Sequence, residues 1–477
     1  MTAIPQPAIP QPARQESPDG LDLPRRRWAW ATIIVGIALA VLDSSMTNVA
    51  LPTIAGHFAA SPAVSIWIVN GYQLAIVATL LPFASLGEIY GYRRVYLAGV
   101  SLFAVAALGC ALAGSLAELT AARIVQGLGA GGLMSVNAAL LRYIVPKDRF
   151  GAAIGVNALV VAAAATVGPT LGGFVLAVAD WPWLYAMHLP VGAAVVAMGW
   201  FSLPDSDRAG RRFDLRSAVL SAAAIGLVVT TLDSIGHGLG WSLVAVQAVG
   251  CGICWVLLVR RELRVPEPLL PLDLLAKPIF SLSIATAMAS FVAQVLAFVS
   301  LPFTFQRIHG FPPLEVGLLM MPWPLAIAVV APFAGRLSDR WSPAIIVGAG
   351  LAMLAAGLAA LALLPDDPGQ YDIAWRMALC GAGFGLFQAP NNRTLITAAP
   401  RARSGAASGM LGTARLSGQA VGAALVALLL GRLGIEGATW ALVLGAGFAA
   451  LAATVSLMRL KHFRPAAGAD TGAGADG

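Results

Sequence analysis

The stretch AVLDSSMTNVALPTI, residues 40–54, places one aspartate, Asp43, inside an otherwise apolar run. A carboxylate at such depth in a membrane costs roughly 3 kcal/mol on insertion scales, so it usually lies inside a helix bundle and serves a function. The meaning of Asp43 therefore depends on whether this run is a membrane helix.

The composition indicates that it is. The chain has 477 residues, of which 58% are hydrophobic and 11% charged, far from the roughly 25% charged residues of soluble domains. Apolar runs of about 20 residues, the length that spans a bilayer, recur throughout. The sequence thus predicts an all-α polytopic membrane protein, with fourteen transmembrane helices in the order six, two and six.

The charge distribution supports this count and sets the orientation. With both termini in the cytoplasm, 25 of the 30 lysines and arginines fall in the termini or in cytoplasmic loops, as the positive-inside rule requires. The net charge of +7 is therefore explained by the membrane topology and gives no basis for nucleic-acid binding. We expect a multi-pass protein of the cell inner (plasma) membrane, in contact with the lipid bilayer.

Five regions follow from these spans. They are a disordered cytoplasmic tail (1–27), an N-terminal six-helix half (28–203), two linker helices with cytoplasmic loops (204–278), a C-terminal six-helix half (279–460) and a disordered C-terminal tail (461–477).

An internal repeat relates the two halves. Shifting the chain by about 254 residues brings Gly127, Gly129, Gly131 and Asn137 onto Gly381, Gly383, Gly385 and Asn391. Secondary transporters are commonly built from such repeats, with substrate bound between them near the membrane midplane. The repeat predicts two pseudo-symmetric halves with the linker helices inserted between them.

Four motifs in order carry a family resemblance. They are LDSSMTNVALP (42–52), ASLGEIYGYRR (84–94), RIVQGLGAGG (123–132) and GVNALVVAAAATVGPTLGG (155–173). With them the chain resembles the major facilitator superfamily, specifically its fourteen-span drug:proton antiporter branch of multidrug efflux type. The resemblance implies the major facilitator fold and alternating access.

The resemblance also assigns roles to particular residues. It implies an antiporter motif at Gly168, Pro169, Gly172 and Gly173. It implies an inner-loop gate formed by Glu88, Gly91, Arg93, Arg94, Asp339 and Arg340. The gate motif departs from the family pattern, because Ala84, Glu88 and Ile89 stand where glycine, aspartate and arginine are usual.

Asp43 and Arg123 are the proton-coupling candidates. At 1.5 Å per residue, both lie at about the same level of the bilayer, so they could interact across the bundle. An opposite charge favours the ionised carboxylate and opposes its protonation. Proton arrival could then compete with substrate; alternatively, the pair is fixed and only positions two helices.

Five polar residues are candidates for the substrate cavity: Asn70, Gln73, Gln126, Gln294 and Arg415. Arg415 lies about midway along its helix by the same rise per residue. It either favours an anionic or zwitterionic substrate or pairs with an acidic residue that the sequence does not identify.

Enzymatic function is not expected. The chain has no GxxxxGK[ST] phosphate-binding motif and no cluster with metal-ligand spacing, so we predict no cofactor and no metal. The predicted function is proton-coupled export of amphipathic drugs or toxic small molecules by a monomer. The alternatives are a dedicated exporter of an endogenous metabolite, a proton-linked importer, and a membrane sensor or scaffold without transport.

Overall fold

A computed structural model describes residues 20–146, 149–206, 208, 213–236, 238, 240–264, 272–338, 340–399 and 404–462. Regular structure within these ranges is entirely helical, as the composition predicted. Most of both predicted tails lies outside the described residues, and so does Asp339 of the predicted gate.

The described part of the N-terminal half contains eight helices. They are α1 (Leu23–His57), α2 (Pro62–Ser65), α3 (Trp67–Tyr90), α4 (Tyr92–Ala111), α5 (Leu116–Ile144), α6 (Phe150–Val178), α7 (Trp183–Ala186) and α8 (His188–Ser202). The first helix begins at Leu23, four residues before the predicted end of the tail, because Pro24 in its first turn suits a helix start.

The remaining helices form the linker and the C-terminal half. The linker has α9 (Leu215–Gly236), α10 (Trp241–Glu262) and α11 (Leu272–Leu275). The C-terminal half has α12 (Pro278–Phe303), α13 (Pro313–Met320), α14 (Pro322–Leu337), α15 (Pro343–Ala362), α16 (Gln370–Ala398), α17 (Ser404–Leu433) and α18 (Gly437–Met458). A π-helical turn, Thr304–Ile308, extends α12.

Twelve stretches of the described chain are long and apolar enough to cross a membrane, two fewer than the predicted fourteen. One of them, Gly409–Met458, contains both α17 and α18 and is counted once. The helix α16 is not among the twelve, since its polar residues, such as Gln388, Asn391 and Asn392, lower its mean hydropathy.

The internal repeat appears as equivalent close packing in the two halves. A Cβ added at Gly129 of α5 would lie 2.4 Å from the backbone nitrogen of Phe103 in α4. In the other half, a Cβ added at Gly383 of α16 would lie 2.5 Å from the backbone nitrogen of Leu354 in α15. Glycines therefore let the backbones of both helix pairs approach closely, as small residues do in membrane proteins.

The linker helices lie against both halves, since α9 packs beside α3 and α17. The Trp67 indole donates a hydrogen bond to Asp233 of α9 at 2.8 Å, and Arg432 of α17 donates to the Ile235 carbonyl at 2.7 Å. The hairpin of α9 and α10 is joined at its base by an Asp214–Arg261 ion pair at 2.8 Å. Burial raises the pKa of Asp214, but hydrogen bonds from Arg261 and Ser217 outweigh this and hold the pKa below its ordinary value.

The two halves are joined near one face of the bundle. We call the end where α1 begins the terminal face, and the end with the α1–α2 turn the distal face. Near the distal face, the Gln306 side-chain amide donates to the Val49 carbonyl at 2.8 Å, and Arg307 donates to the Pro52 carbonyl at 2.9 Å. Beside these bonds, a cleft of about 440 Å³ is lined by residues of both halves.

Replacing Arg307 by alanine is expected to separate the halves at the distal face. A hydrogen bond with a charged donor contributes roughly 1.5–3 kcal/mol, so its loss should shift a two-state equilibrium by about tenfold or more. Spin labels would be attached at Ala60→Cys and Ile435→Cys, two positions that line the distal cleft. Double electron–electron resonance should then show a second population with a longer distance between the two labels.

This measurement uses a background in which the half-buried Cys251 and Cys254 are serine. The matched control is Arg376→Ala, because Arg376 pairs with Asp372 within its own helix at 2.7 Å and does not join the halves. Unchanged label distances in Arg307→Ala would show that Arg307 does not hold this face closed.

Candidate functional site

A buried ion pair lies at the centre of the N-terminal half. The Arg123 Nη1 atom of α5 lies 2.6 Å from Asp43 Oδ2 of α1, and each residue is about 1% exposed. Arg123 also donates to the Ile68 carbonyl and to Gln126 Oε1. The Gln126 amide in turn donates to Asp43 Oδ1 at 3.0 Å, so both carboxylate oxygens accept hydrogen bonds.

Aromatic rings enclose the guanidinium of Arg123. Its central carbon lies 4.1 Å from the Tyr72 ring centroid and 5.5 Å from that of Tyr185. Tyr185 belongs to α7 and accepts a hydrogen bond from Thr47 of α1 at 3.4 Å. Rings within about 6 Å of a cation attract it through their quadrupole, more strongly where water is excluded. The aromatic residues thus stabilise a charge that the low-polarity interior would otherwise oppose.

The site also contains groups that the sequence analysis missed. Tyr185 forms part of the enclosure, and the His188 ring lies against Phe103, 6.0 Å between centroids. Both residues are buried, Tyr185 in the four-residue helix α7 and His188 at the start of α8. The sequence carried no signal for them, because neither belongs to a motif and their positions depend on how α7 packs on α1 and α4.

Chemically, the arrangement is a neutral unit of one carboxylate and one guanidinium. Protonating Asp43 would leave Arg123 as an uncompensated buried cation, and a buried charge without its partner is strongly destabilising. A proton can therefore be taken up only if Arg123 gains another partner or the helices rearrange. The ion pair therefore links the charge of Asp43 to the relative positions of α1 and α5.

The predicted antiporter motif lies between two helices. A Cβ added at Gly168 would lie 2.4 Å from Ser45 Cβ, and one at Gly172 would lie 3.0 Å from Met46 Cα, both in α1. On another side of α6, Gly173 lies against α13 of the other half, where a Cβ would be 2.5 Å from the Pro313 carbonyl oxygen.

Pro169 takes part in the same contact between halves. Its carbonyl oxygen lies 2.5 Å from the Cβ position of Gly317 in α13. Thr170 donates a hydrogen bond to the Gly317 carbonyl at 3.2 Å. Residues 168–173 thus join α6 both to α1, which carries Asp43, and to the C-terminal half.

The predicted cavity residues have different surroundings. Gln126 is fully buried and hydrogen-bonded to the ion pair. Asn70 is also buried, and both atoms of its amide lack a hydrogen-bond partner among the described residues. Gln73 is 8% exposed, while Gln294 and Arg415 are half-buried.

The predicted gate residues contact their own half. Arg93 of α4 pairs with Asp205 at 3.4 Å and donates to the Trp200 carbonyl of α8. Gly91, with a φ of 99°, makes the turn between α3 and α4, a backbone conformation that favours glycine. These contacts fix the ends of α4 and α8 together.

The other gate residues add little to this picture. Glu88 is half-buried, while Arg94 and Arg340 are exposed. Within the described part of the chain, no group of three or more histidine, cysteine, aspartate or glutamate side chains is placed to hold a metal ion.

Two helical halves related by an internal repeat and joined by close packing, one of which contains a buried ion pair, are the architecture of a membrane transporter built from repeats. The chain belongs to the Major Facilitator Superfamily, whose sequence profile matches residues 33–423 and 282–474. It is therefore a multi-pass transport protein for small molecules and not an enzyme, as the sequence predicted.

Known proteins resemble the chain over most of its length. It is 50% identical to the uncharacterized transporter YebQ of Escherichia coli (strain K12), over 94% of this chain and 98% of that protein. It is 34% identical to the multidrug resistance protein Stp of Mycobacterium tuberculosis, over 83% of this chain and 74% of that protein.

A solved structure shares the fold. The crystal structure of a POT family transporter in complex with 5-aminolevulinic acid superimposes with a TM-score of 0.69 at 14% identity. The match covers 91% of this chain and 96% of that chain.

Proposed function

We propose that this protein is a proton-coupled antiporter that exports amphipathic drugs or toxic small molecules by alternating access. The observation that carries the proposal is the buried network of Asp43, Arg123 and Gln126, which links a titratable carboxylate to α1 and α5. Export is supported by the likeness to a multidrug resistance protein.

The proposed architecture has fourteen membrane-spanning helices, with α16 and both α17 and α18 crossing the bilayer separately. Each of these three helices has at least 22 residues, enough for a hydrocarbon core about 30 Å thick. The terminal face is cytoplasmic in this proposal, in accord with the positive-inside rule. The functional unit is a monomer.

In the proposed cycle, the ion pair responds to proton arrival. Protonation of Asp43 releases Arg123, and because α6 packs on α1 next to Asp43, movement of α1 is transmitted to the contact between α6 and α13. Substrate leaves as the distal face opens. The distal face then closes, and loss of the proton to the cytoplasm on the terminal side restores the pair.

Proton movement in proteoliposomes tests the proposal. Purified protein would be reconstituted with a pH gradient and a trapped pH-sensitive dye, then exposed to cationic, neutral and anionic amphipathic compounds. A substrate-dependent collapse of the gradient is the expected result. Substrate flux that proceeds without proton movement would instead identify a uniporter on the same fold.

A further inference from the structure

Arg415 of α17 is a half-buried cation without a partner among the described residues. Its Nε atom is buried and has no hydrogen-bond partner among the described residues. The described ion pairs do not include it either. The charge of Asp43 is neutralised by Arg123, so Arg415 is an uncompensated positive charge.

The direction of Arg415 follows from its neighbours on α17. Three residues before it, Gly412 lies against Leu80 of α3, whose Cδ2 atom is 3.7 Å from the added Cβ. Three residues after it, Gly418 lies against the Met288 carbonyl of α12, at 2.6 Å from the added Cβ. A step of three residues turns an α-helix by about 300°, so Arg415 points between α3 and α12.

That direction is the space between the two halves, because α3 belongs to one half and α12 to the other. Arg415 lies about 16 Å along a 30-residue helix, near mid-membrane. Substrate sites of repeat-built transporters lie at this depth, at the interface of the repeats.

Further polar groups without partners lie toward the distal face. Gln73 stands seven residues before Leu80, and therefore on the same face of α3. Its Oε1 atom is buried without a hydrogen-bond partner among the described residues, as are both amide atoms of Asn70. The surrounding side chains, such as Leu80 and Phe291, are apolar.

We propose that Arg415 binds the acidic group of the substrate, and that this transporter carries amphipathic organic anions or zwitterions with a carboxylate. This inference rests on the proposed function and names its substrate class. An unpaired charge at mid-membrane depth is costly, and a bound carboxylate supplies the missing partner through charge-assisted, often bidentate hydrogen bonds. The apolar side chains of Leu80 and Phe291 and the unpartnered amide atoms of Asn70 and Gln73 suit the remainder of an amphipathic molecule.

The test compares two dyes that differ only at the carboxyl group, rhodamine B and rhodamine B ethyl ester. Their equilibrium binding to the purified protein is measured by fluorescence anisotropy without a pH gradient. We expect the wild-type protein to bind the acid at least about tenfold more tightly than the ester, and Arg415→Gln to lose this preference. Arg415→Lys should retain part of it, because the charge remains and the bidentate geometry does not.

The matched control is Arg432→Gln on the same helix, an exposed arginine that hydrogen-bonds the linker. It should keep the preference of the wild type. Equal binding of acid and ester by the wild-type protein, including no measurable binding of either, would overturn the proposal, as would a preference that survives in Arg415→Gln. Because binding needs no proton gradient, this result is independent of whether transport is coupled to protons.

Discussion

Replacing Asp43 by asparagine is expected to reduce proton-driven transport by at least about a hundredfold, the range seen when a group that transfers a proton is removed. The side-chain amide is nearly the same size as the carboxylate but cannot accept or release a proton. The measurement is gradient-driven substrate flux in proteoliposomes, with proton movement recorded in parallel. Transport and coupling that remain normal in Asp43→Asn would remove Asp43 from the proton path.

Loss of transport alone does not separate coupling from structure, since Asp43→Asn leaves Arg123 buried without its partner. Breaking a buried pair in this way costs roughly 3–5 kcal/mol, so thermal unfolding of each variant must be measured alongside flux. The informative control is the double variant Asp43→Asn/Arg123→Gln, which removes both charges and leaves neutral groups able to hydrogen-bond with Gln126.

The two roles of the pair predict opposite results for this double variant. If the pair only positions α1 and α5, restoring neutrality should restore both stability and proton-driven transport. If Asp43 carries the proton, stability should recover while proton coupling stays absent, and only substrate exchange down its own gradient should remain.

The second large effect is expected at Gly317 of α13. Replacing it by valine should lower transport by about tenfold or more, because an added Cβ would lie 2.5 Å from the Pro169 carbonyl and the helices must move apart. Overpacking a close contact costs roughly 1–3 kcal/mol. At Gly317 this free-energy cost opposes closure of the distal face. The measurement is the transport rate of each variant. We expect Gly317→Ala, with the smaller side chain, to lose less of the wild-type rate than Gly317→Val.

Gly447→Val is the matched control, since an added Cβ at this position in α18 meets nothing within 4 Å. It introduces the same side chain into a transmembrane helix without touching the other half, and should transport like the wild type. Normal transport by Gly317→Val would show that α6 and α13 do not need this close approach during the cycle.

The sequence by itself determined the class of protein. Its composition required a helical membrane protein, and the glycines repeated about 254 residues apart required two equivalent halves. It also placed Asp43 and Arg123 at one level, because the rise of an α-helix is fixed and depth can be counted from the ends of the spans. The structure has these two residues in contact.

Tertiary structure decided how the side chains are used, since packing between helices sets which way each one points. Gln126 and Arg415 were both predicted in the cavity. Gln126 is hydrogen-bonded to both members of the ion pair, whereas Arg415 has no partner among the described residues. Two further residues belong to no sequence motif: Tyr185, which lies next to Arg123, and Gln306, which lies at the distal face. Their contacts arise only when helices distant in sequence pack together, which no local pattern records.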